Sequence, residues 1–431
     1  MRINYQYALA YRVAQVFFSA GTLLLVPLYF NPVEVGLYYL FMSFMALQIM
    51  FEMGLGQALL QVASHINRKE RNSLDYYAFI LNIDYDYKVI AIRFFLFTLA
   101  VGVLYIMIFV IGEYQYLMFA YIALVTPGAV ILRLSYLYFI MESKGQVNHS
   151  NKIKLTGFVL ASIIMWGCIM SNLGLYSIGI SGLANATYLY CVYRKITISK
   201  RGCIVVAEDR PNCYSNELKI LHSKFKISYI SGYLASSTII PIVFAMISPI
   251  EAGRLGLTLS VFSAVTIISS IFVVVNNAKM AYLIANRKFK ELHYLFAKSV
   301  KYVLLSGVFL GAITLFTLFY LREVFPNFAD KFMDLEMAFL LYISSISSTL
   351  IYAMAIYIRS HKIELLVGTS IISAISVVLL VTLGCCYGIE YAIYGYALSS
   401  IFISTPLTYC IFKKKYSENL LWIFIERNKV C

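Results

Sequence analysis

The chain has 431 residues, 61% of them hydrophobic and only 13% charged, with a formal net charge of +14. Its mean hydropathy is +0.78. Soluble domains carry about a quarter charged residues, so the composition excludes a soluble globular protein and points to a polytopic membrane protein.

Apolar runs long enough to cross about 30 Å of hydrocarbon recur along the whole chain. The first half offers Ala8 to Phe30, Gly36 to Ala63, Val89 to Ile111, Tyr116 to Met141, Leu155 to Met170 and Leu175 to Val192. The second offers Ile227 to Ile247, Leu255 to Val275, Tyr302 to Leu321, Met337 to Ile358, Leu365 to Leu383 and Tyr391 to Phe412. The first run ends in Tyr29-Phe30-Asn31-Pro32 rather than a small-residue cleavage site, so we expect it to stay as a span and not to be a signal peptide. The expected architecture is an all-α integral membrane protein with about twelve transmembrane helices. Its parts are a six-helix lobe over 1–192, a cytoplasmic linker over 193–226, a second six-helix lobe over 227–412 and a cytoplasmic tail over 413–431.

A short phrase occurs twice. Pro32-x-Glu34-x-Gly36 and Pro249-x-Glu251-x-Gly253 each sit in a polar gap between long apolar runs, and beyond them Leu40 aligns with Leu257 and Ser43 with Ser260. About six spans separate the copies. Six is even, so both copies face the same side of the membrane, as parallel repeats related by a pseudo-two-fold axis along the membrane normal.

The positive charges are placed one-sidedly. With the N-terminus inside, the inner segments hold nearly all the lysines and arginines, among them Arg68, Lys69, Arg71, Lys144, Arg194, Lys195, Arg287, Lys288, Lys413, Lys414 and Lys415. The outer segments hold Arg254, Arg322 and Lys331. This asymmetry predicts cytoplasmic N- and C-termini, and it explains the basic charge without nucleic acid. The inner segment Asn286 to Lys301 mixes basic and apolar residues, a pattern that suits an amphipathic interfacial helix. Prolines inside runs, at Pro27, Pro127, Pro241 and Pro406, are candidate bends. The five histidines map to inner loops without metal-ligand spacing, so no metal site is expected.

Ionisable residues inside spans are costly and are functional candidates by default. Arg12, Arg93 and Arg133 lie within about two turns of the inner ends of their spans, where they either snorkel to headgroups or face a polar path. Glu52 lies about three turns deep. It must meet protein or a wet cavity, either paired with Arg12 or Arg133 or acting as a coupling acid. Gly54 and Gly56 follow it and allow close helix approach, and Gln15, Gln48 and Gln57 add polarity on the same two spans. The second half carries hydroxyls and amides instead, with Ser344, Ser345, Ser347, Ser348 and Thr349 crowded on the tenth run. Such a cluster serves helix packing or lines a polar path. No catalytic triad, paired-acid arrangement or phosphate loop is present, so we expect a transporter and not an enzyme.

Several segments carry a family resemblance. Glu34-Val35-Gly36-Leu37-Tyr38-Tyr39, Phe51-Glu52-Met53-Gly54-Leu55-Gly56-Gln57, Gln61-Val62-Ala63-Ser64-His65, Glu142-Ser143-Lys144-Gly145-Gln146-Val147 and Glu251-Ala252-Gly253-Arg254-Leu255-Gly256-Leu257 resemble the Wzx-type O-antigen and polysaccharide flippases. These belong to the multidrug/oligosaccharidyl-lipid/polysaccharide exporter superfamily. Ala278-Lys279-Met280 departs from the family, where a proline is expected. The resemblance implies two six-helix bundles around a V-shaped cavity in a bacterial inner (cytoplasmic) membrane. The substrate implied is a polyprenyl-pyrophosphate-linked oligosaccharide of O-antigen or capsule type, moved from the cytoplasmic to the outer leaflet. On this reading Arg12, Arg133 and Arg93 help hold the pyrophosphate, whose oxygens match the planar guanidinium fork. Partners would be lipid-linked oligosaccharide, membrane lipids and the polysaccharide polymerase machinery. No cofactor is implied beyond a proton or sodium gradient. The alternatives are a cation-coupled small-molecule or multidrug exporter of the same fold and, from another class, a membrane glycan polymerase or glycosyltransferase.

Overall fold

The computed structural model describes residues 6–65, 74–110, 114–198, 215–361 and 364–427, and the regular structure among them is helical. The chain divides into two compact units, Met1–Tyr233 and Leu234–Cys431. The first contains α1 (Gln6–Tyr29), α2 (Pro32–Met45), α3 (Leu47–Glu52), α4 (Leu55–His65) and α5 (Leu74–Phe109). It continues with α6 (Tyr114–Leu134), α7 (Tyr136–Ser143), α8 (Val147–Met170), α9 (Tyr176–Ile198) and most of α10 (Ser215–Ser237). The second contains α11 (Ile239–Met246), α12 (Pro249–Val274), α13 (Asn277–Ala285), α14 (Phe289–Val324) and the short α15 (Pro326–Ala329). Then come α16 (Leu335–Ser360), α17 (Val367–Cys385), α18 (Ile389–Leu398), a π-helical turn (Ser399–Ser404) and α19 (Thr405–Arg427).

This is a multi-pass membrane protein. Among the described residues ten helices are long and apolar enough to cross a membrane, or eleven if α10 and α11, bent by 43° at Thr238, form one span. Large apolar side chains such as Phe17, Leu24, Leu305, Phe309 and Phe316 point outward, as hydrocarbon solvent permits. The shortfall from twelve falls on Leu175 to Val192. That segment is helical within α9, 23 residues long, but Ser177, Ser181, Asn185 and Thr187 make it too polar to qualify. α9 packs against α6 and α8 and buries Ser177 and Ser181, so protein rather than lipid receives part of its polarity.

Several expected boundaries move. The third helix starts well before the apolar run at Val89: α5 has 36 residues and reaches about 54 Å at 1.5 Å per residue, so it projects beyond the hydrocarbon. The 193–226 segment is helical at both ends, within α9 and α10, and its middle lies outside the described residues. The 413–431 tail continues α19 to Arg427. Asn286 to Lys301 is not a separate interfacial helix: it turns through Arg287 at φ 56° and becomes the first turns of α14, with Leu292, His293 and Phe296 buried. Nor do the described histidines all sit in loops. His149, His222 and His293 are within helices, and His293 Nε2 lies 3.1 Å from the Tyr357 hydroxyl.

The repeated phrase folds the same way twice. Pro32 and Pro249 occupy the first turns of α2 and α12, where a missing N–H costs nothing. Asn31 Oδ1 accepts the Glu34 N–H at 2.8 Å, while Glu34 Oε2 accepts the Asn31 N–H at 3.0 Å. Ser248 Oγ accepts the Glu251 N–H at 3.1 Å. Leu40 and Leu257 both have 0% exposure. Deeper in each unit a second structure repeats. Tyr121 of α6 packs on Phe41 of α2 with ring centroids 5.0 Å apart, lies over Gly102 of α5 and donates to the Thr98 carbonyl at 2.7 Å. Tyr342 of α16 packs on Phe262 of α12 at 5.7 Å, lies over Gly311 of α14 and donates to the Gly307 carbonyl at 3.2 Å. In both cases the glycine follows the accepting residue by one helical turn, because only a missing Cβ lets the ring reach that carbonyl.

Two of the four candidate prolines coincide with breaks, whereas Pro27 and Pro127 lie inside α1 and α6. Pro241 stands in the first turn of α11, just after the bend, and Pro406 follows the π turn. Lacking an N–H, Pro406 cannot bond the carbonyl one turn back, and a π turn absorbs the mismatch. Ser373 and Ser376 of α17 hold that turn through Ser404 and Ser399, each at 2.6 Å. Arg254 and Arg322, expected on the outer side, both reach Asp334, at 3.4 Å and 2.9 Å. Arg254 also pairs with Glu251 at 3.0 Å, so these positive charges are locally neutralised.

Candidate functional site

The second expected span, Gly36 to Ala63, is broken. Met53 and Gly54 both adopt left-handed backbone, at φ 50° and 73°, and separate α3 from α4. Glycine is required at 54 twice over, because a Cβ there would also lie 2.6 Å from the Tyr229 ring. Gly56 serves close approach as well, with Phe139 packed over it. Glu52 is therefore the last residue of α3, presented at a helix break.

The Glu52 carboxylate accepts a hydrogen bond from the Tyr87 hydroxyl at 2.8 Å and one from the Gly56 amide. Both donors are neutral. The expected partners Arg12 and Arg133 do not pair with it. Arg133, at the end of α6, faces Asp84 of α5 at 3.9 Å, and Asp84 also bonds the Tyr136 hydroxyl. The Tyr87 and Tyr136 rings lie 5.7 Å apart, and Tyr87 also bonds Ser135, the residue that interrupts α6 and α7. A continuous polar strip thus runs from Glu52 through Tyr87 and Tyr136 to the Asp84–Arg133 pair. Arg133 Nε and Asp84 Oδ1 are buried with no hydrogen-bond partner among the described residues, so this end of the strip retains unused capacity.

The remaining predicted residues disperse. Arg12 is exposed on α1 and donates to Gln15 on its own helix at 3.2 Å, and Gln15 in turn donates to Tyr11 at 3.1 Å. Arg93 is exposed on α5, with no hydrogen bond or ion pair among the described residues. Gln57 is exposed and Gln48 half-buried. The three arginines share no partner. Asp84, Tyr87 and Tyr136 do not stand out in the sequence. Their signal is the stripe Tyr76, Phe79, Ile80, Ile83 and Tyr87, whose helical spacing extends α5 inward past the charges at Asp84, Asp86 and Lys88. In the second unit, Ser344, Ser348 and Thr349 of α16 bond their own helix, at the carbonyls of Leu340, Ser344 and Ser345. Among the described residues no three His, Cys, Asp or Glu gather as a metal site, and the five described cysteines are free.

No protein-family model matches the chain, and no curated protein matches its sequence. Solved structures do share its fold. An inward-facing multidrug resistance MATE family transporter of the MOP superfamily aligns over 95% of this chain and 94% of its own, with TM-score 0.70 and 10% identity. The MATE multidrug transporter DinF-BH aligns over 96% and 95%, with TM-score 0.68 and 11% identity. The eukaryotic MATE transporter AtDTX14 aligns over 97% of both chains, with TM-score 0.65 and 15% identity. The chain thus has a MATE-like transporter fold.

Proposed function

We propose that this chain is an alternating-access exporter of the MOP superfamily, driven by a proton or sodium gradient, with Glu52 as the coupling acid and a small molecule as its substrate. The observation that carries the reading is the setting of Glu52. An intramembrane carboxylate locked to an arginine is neutralised permanently. One held by a tyrosine hydroxyl and a backbone amide needs a proton or a cation whenever water leaves it. The helix break beside it supplies a place where backbone geometry can change without unwinding a continuous helix.

A lipid-linked oligosaccharide is the second reading. Its support is the likeness of the quoted segments to Wzx-type flippases, together with Arg12, which is exposed and among the described residues donates only to Gln15. Against it, Arg133 is engaged by Asp84. Three of the resembling segments also have local structural duties, two as capped helix starts and one as a helix break, and such duties are independent of cargo.

Proteoliposomes test the first reading. Gradient-dependent movement of a fluorescent organic cation such as ethidium is expected in the parent and lost in Glu52→Gln with binding retained. Absence of gradient-driven movement, combined with accumulation of lipid-linked repeat units in cells lacking the protein, would favour the flippase. Full gradient dependence in Glu52→Gln would remove the coupling role.

A further inference from the structure

The repeated tyrosine clasp provides an internal ruler. Counting from its paired residues, Phe41 with Phe262, Tyr121 with Tyr342 and Gly102 with Gly311, a register that on α2 and α12 runs four residues past that of the repeated phrase, sets Gly307 against Thr98, Thr266 against Met45, Val303 against Phe94 and Ser345 against Leu124. In the first unit this place is filled with apolar bulk. The Met45 sulfur would lie 3.3 Å from a Cβ on Gly128, and the Phe94 ring 3.9 Å from it. In the second unit the same place, between α12, α14 and α16, is hollow and lined with hydroxyls. A cavity of about 10 Å³ is bounded by Thr266, Ser269, Gly307, Ser345 and Thr349, with Val265 and Val303 on its apolar side.

One hydroxyl in that wall lacks a partner. Thr266 and Thr349 each donate to the carbonyl one turn back on their own helices, at 3.0 Å and 2.8 Å, and Thr266 and Ser345 lie 3.2 Å apart. Ser269 is 1% exposed, and its Oγ makes no hydrogen bond among the described residues. A buried hydroxyl left unpaired is costly. A hole of about 10 Å³ is the size one water needs, provided it also finds two or more polar groups. An ion fits the chemistry less well, because the cavity wall has hydroxyls but no carboxylate to offset lost hydration.

We propose that this cavity is a hydration site, in which one internal water bridges Ser269 to the Thr266–Ser345 pair and makes the α12–α14–α16 contact a wet joint. The counterpart between α2, α5 and α6 is packed with Met45 and Phe94 around Gly128, and Thr98 Oγ1 there is buried without a hydrogen-bond partner among the described residues. The proposal stands independently of the cargo.

X-ray radiolytic hydroxyl labelling of the intact protein in detergent tests it, since bound water generates the label beside buried side chains. Val265 and Val303, at 7% and 2% exposure, should be oxidised several-fold faster than Val125 of the first unit, at 0%. Gly307→Ala would place a Cβ 3.6 Å from Ser269 Oγ, an ordinary contact, so the variant folds while the hole closes. Labelling at Val265 and Val303 should then fall to the level of Val125. The same substitution should raise the melting temperature in a Ser269→Ala background but not in the parent, where it strands the serine. Equal labelling of all three valines in the parent would overturn the proposal. So would equal stabilisation by Gly307→Ala in both backgrounds, because a dry hole simply gains from being filled. A melting temperature that rises with sodium over potassium, with loss of the label, would make the occupant an ion and would also overturn it.

Discussion

The sharpest prediction concerns the two residues after Glu52. Gly54 has φ 73°, and a Cβ on it would meet the Tyr229 ring at 2.6 and 2.9 Å and Phe225 Cβ at 3.1 Å. Alanine at 54 would incur about 1–2 kcal/mol for left-handed backbone and about 1–3 kcal/mol for crowding, or roughly 2–5 kcal/mol together. Met53 has φ 50°, and its side chain already bears the same backbone cost. Met53→Gly removes that cost but adds about 0.5–1 kcal/mol of chain entropy, so it should be neutral or stabilising by up to about 1.5 kcal/mol. Two adjacent substitutions at one break therefore carry opposite signs. Thermal unfolding in detergent, read by fluorescence-detected size exclusion, should show Gly54→Ala melting several degrees below the parent and Met53→Gly at or above it. If Gly54→Ala melts with the parent, residues 47–65 form a continuous helix in the folded protein, and the presentation of Glu52 at a break is wrong.

Three further outcomes follow from the same structure. Tyr87→Phe removes the hydroxyl donor to Glu52 at 2.8 Å and should cost about 1.5–3 kcal/mol, the range for hydrogen bonds to charged groups; unchanged melting would mean that the carboxylate has other partners. Gly102→Ala and Gly311→Ala each drive a methyl into the ring of Tyr121 or Tyr342 and should each cost about 1–3 kcal/mol. Tyr342→Phe should cost less, about 0.5–1.5 kcal/mol, in the same melting assay. Reporter fusions at Asn212 and Asp330 should read opposite sides of the membrane, as the placement of basic residues requires, and the same side for both would dismiss the proposed topology.

Much of the fold was legible because hydrocarbon is an undemanding reader. A span needs only about 20 apolar residues, so most helices lay where the runs were, and the doubled Pro-x-Glu-x-Gly marked true helix starts. The breaks were less legible. Met53-Gly54-Leu55-Gly56 reads as a packing stripe, and nothing in it distinguishes a glycine that needs left-handed backbone from one that needs only close approach; here Gly54 needs both. The charged ends of the long helices were obscured because charge ordinarily marks the end of a span, although α5 carries Asp84, Asp86 and Lys88 inside a continuous helix. The partner of Glu52 was hidden for a related reason. Intramembrane arginines are the conspicuous counter-ions for a buried acid, while the donors used are a tyrosine from an adjacent helix and a backbone amide. Neither stands out in a sequence rich in tyrosine.

The duplication also shows what the two halves no longer share. Both units keep a capped helix start and a tyrosine clasp, features that fix helices against each other and that either half needs to fold. They differ beyond the far end of the helix that the cap begins. In the first unit α2 gives way to α3 at Ala46, and α3 ends in two left-handed residues directly after an acid. In the second, α12 runs on to Val274 and turns into α13 through Val275 with ordinary right-handed backbone at φ −62°. Strained backbone persists only where its surroundings enforce it and tends to cluster where a site must be pre-shaped. Here the strain sits beside Glu52 and the strip leading to Asp84 and Arg133, while the corresponding turn in the second unit is relaxed and carries amides. Ionisable chemistry and backbone strain thus diverged together in one half of a duplicated scaffold, as expected if the first unit responds to the gradient and its shape change begins at the α3–α4 break.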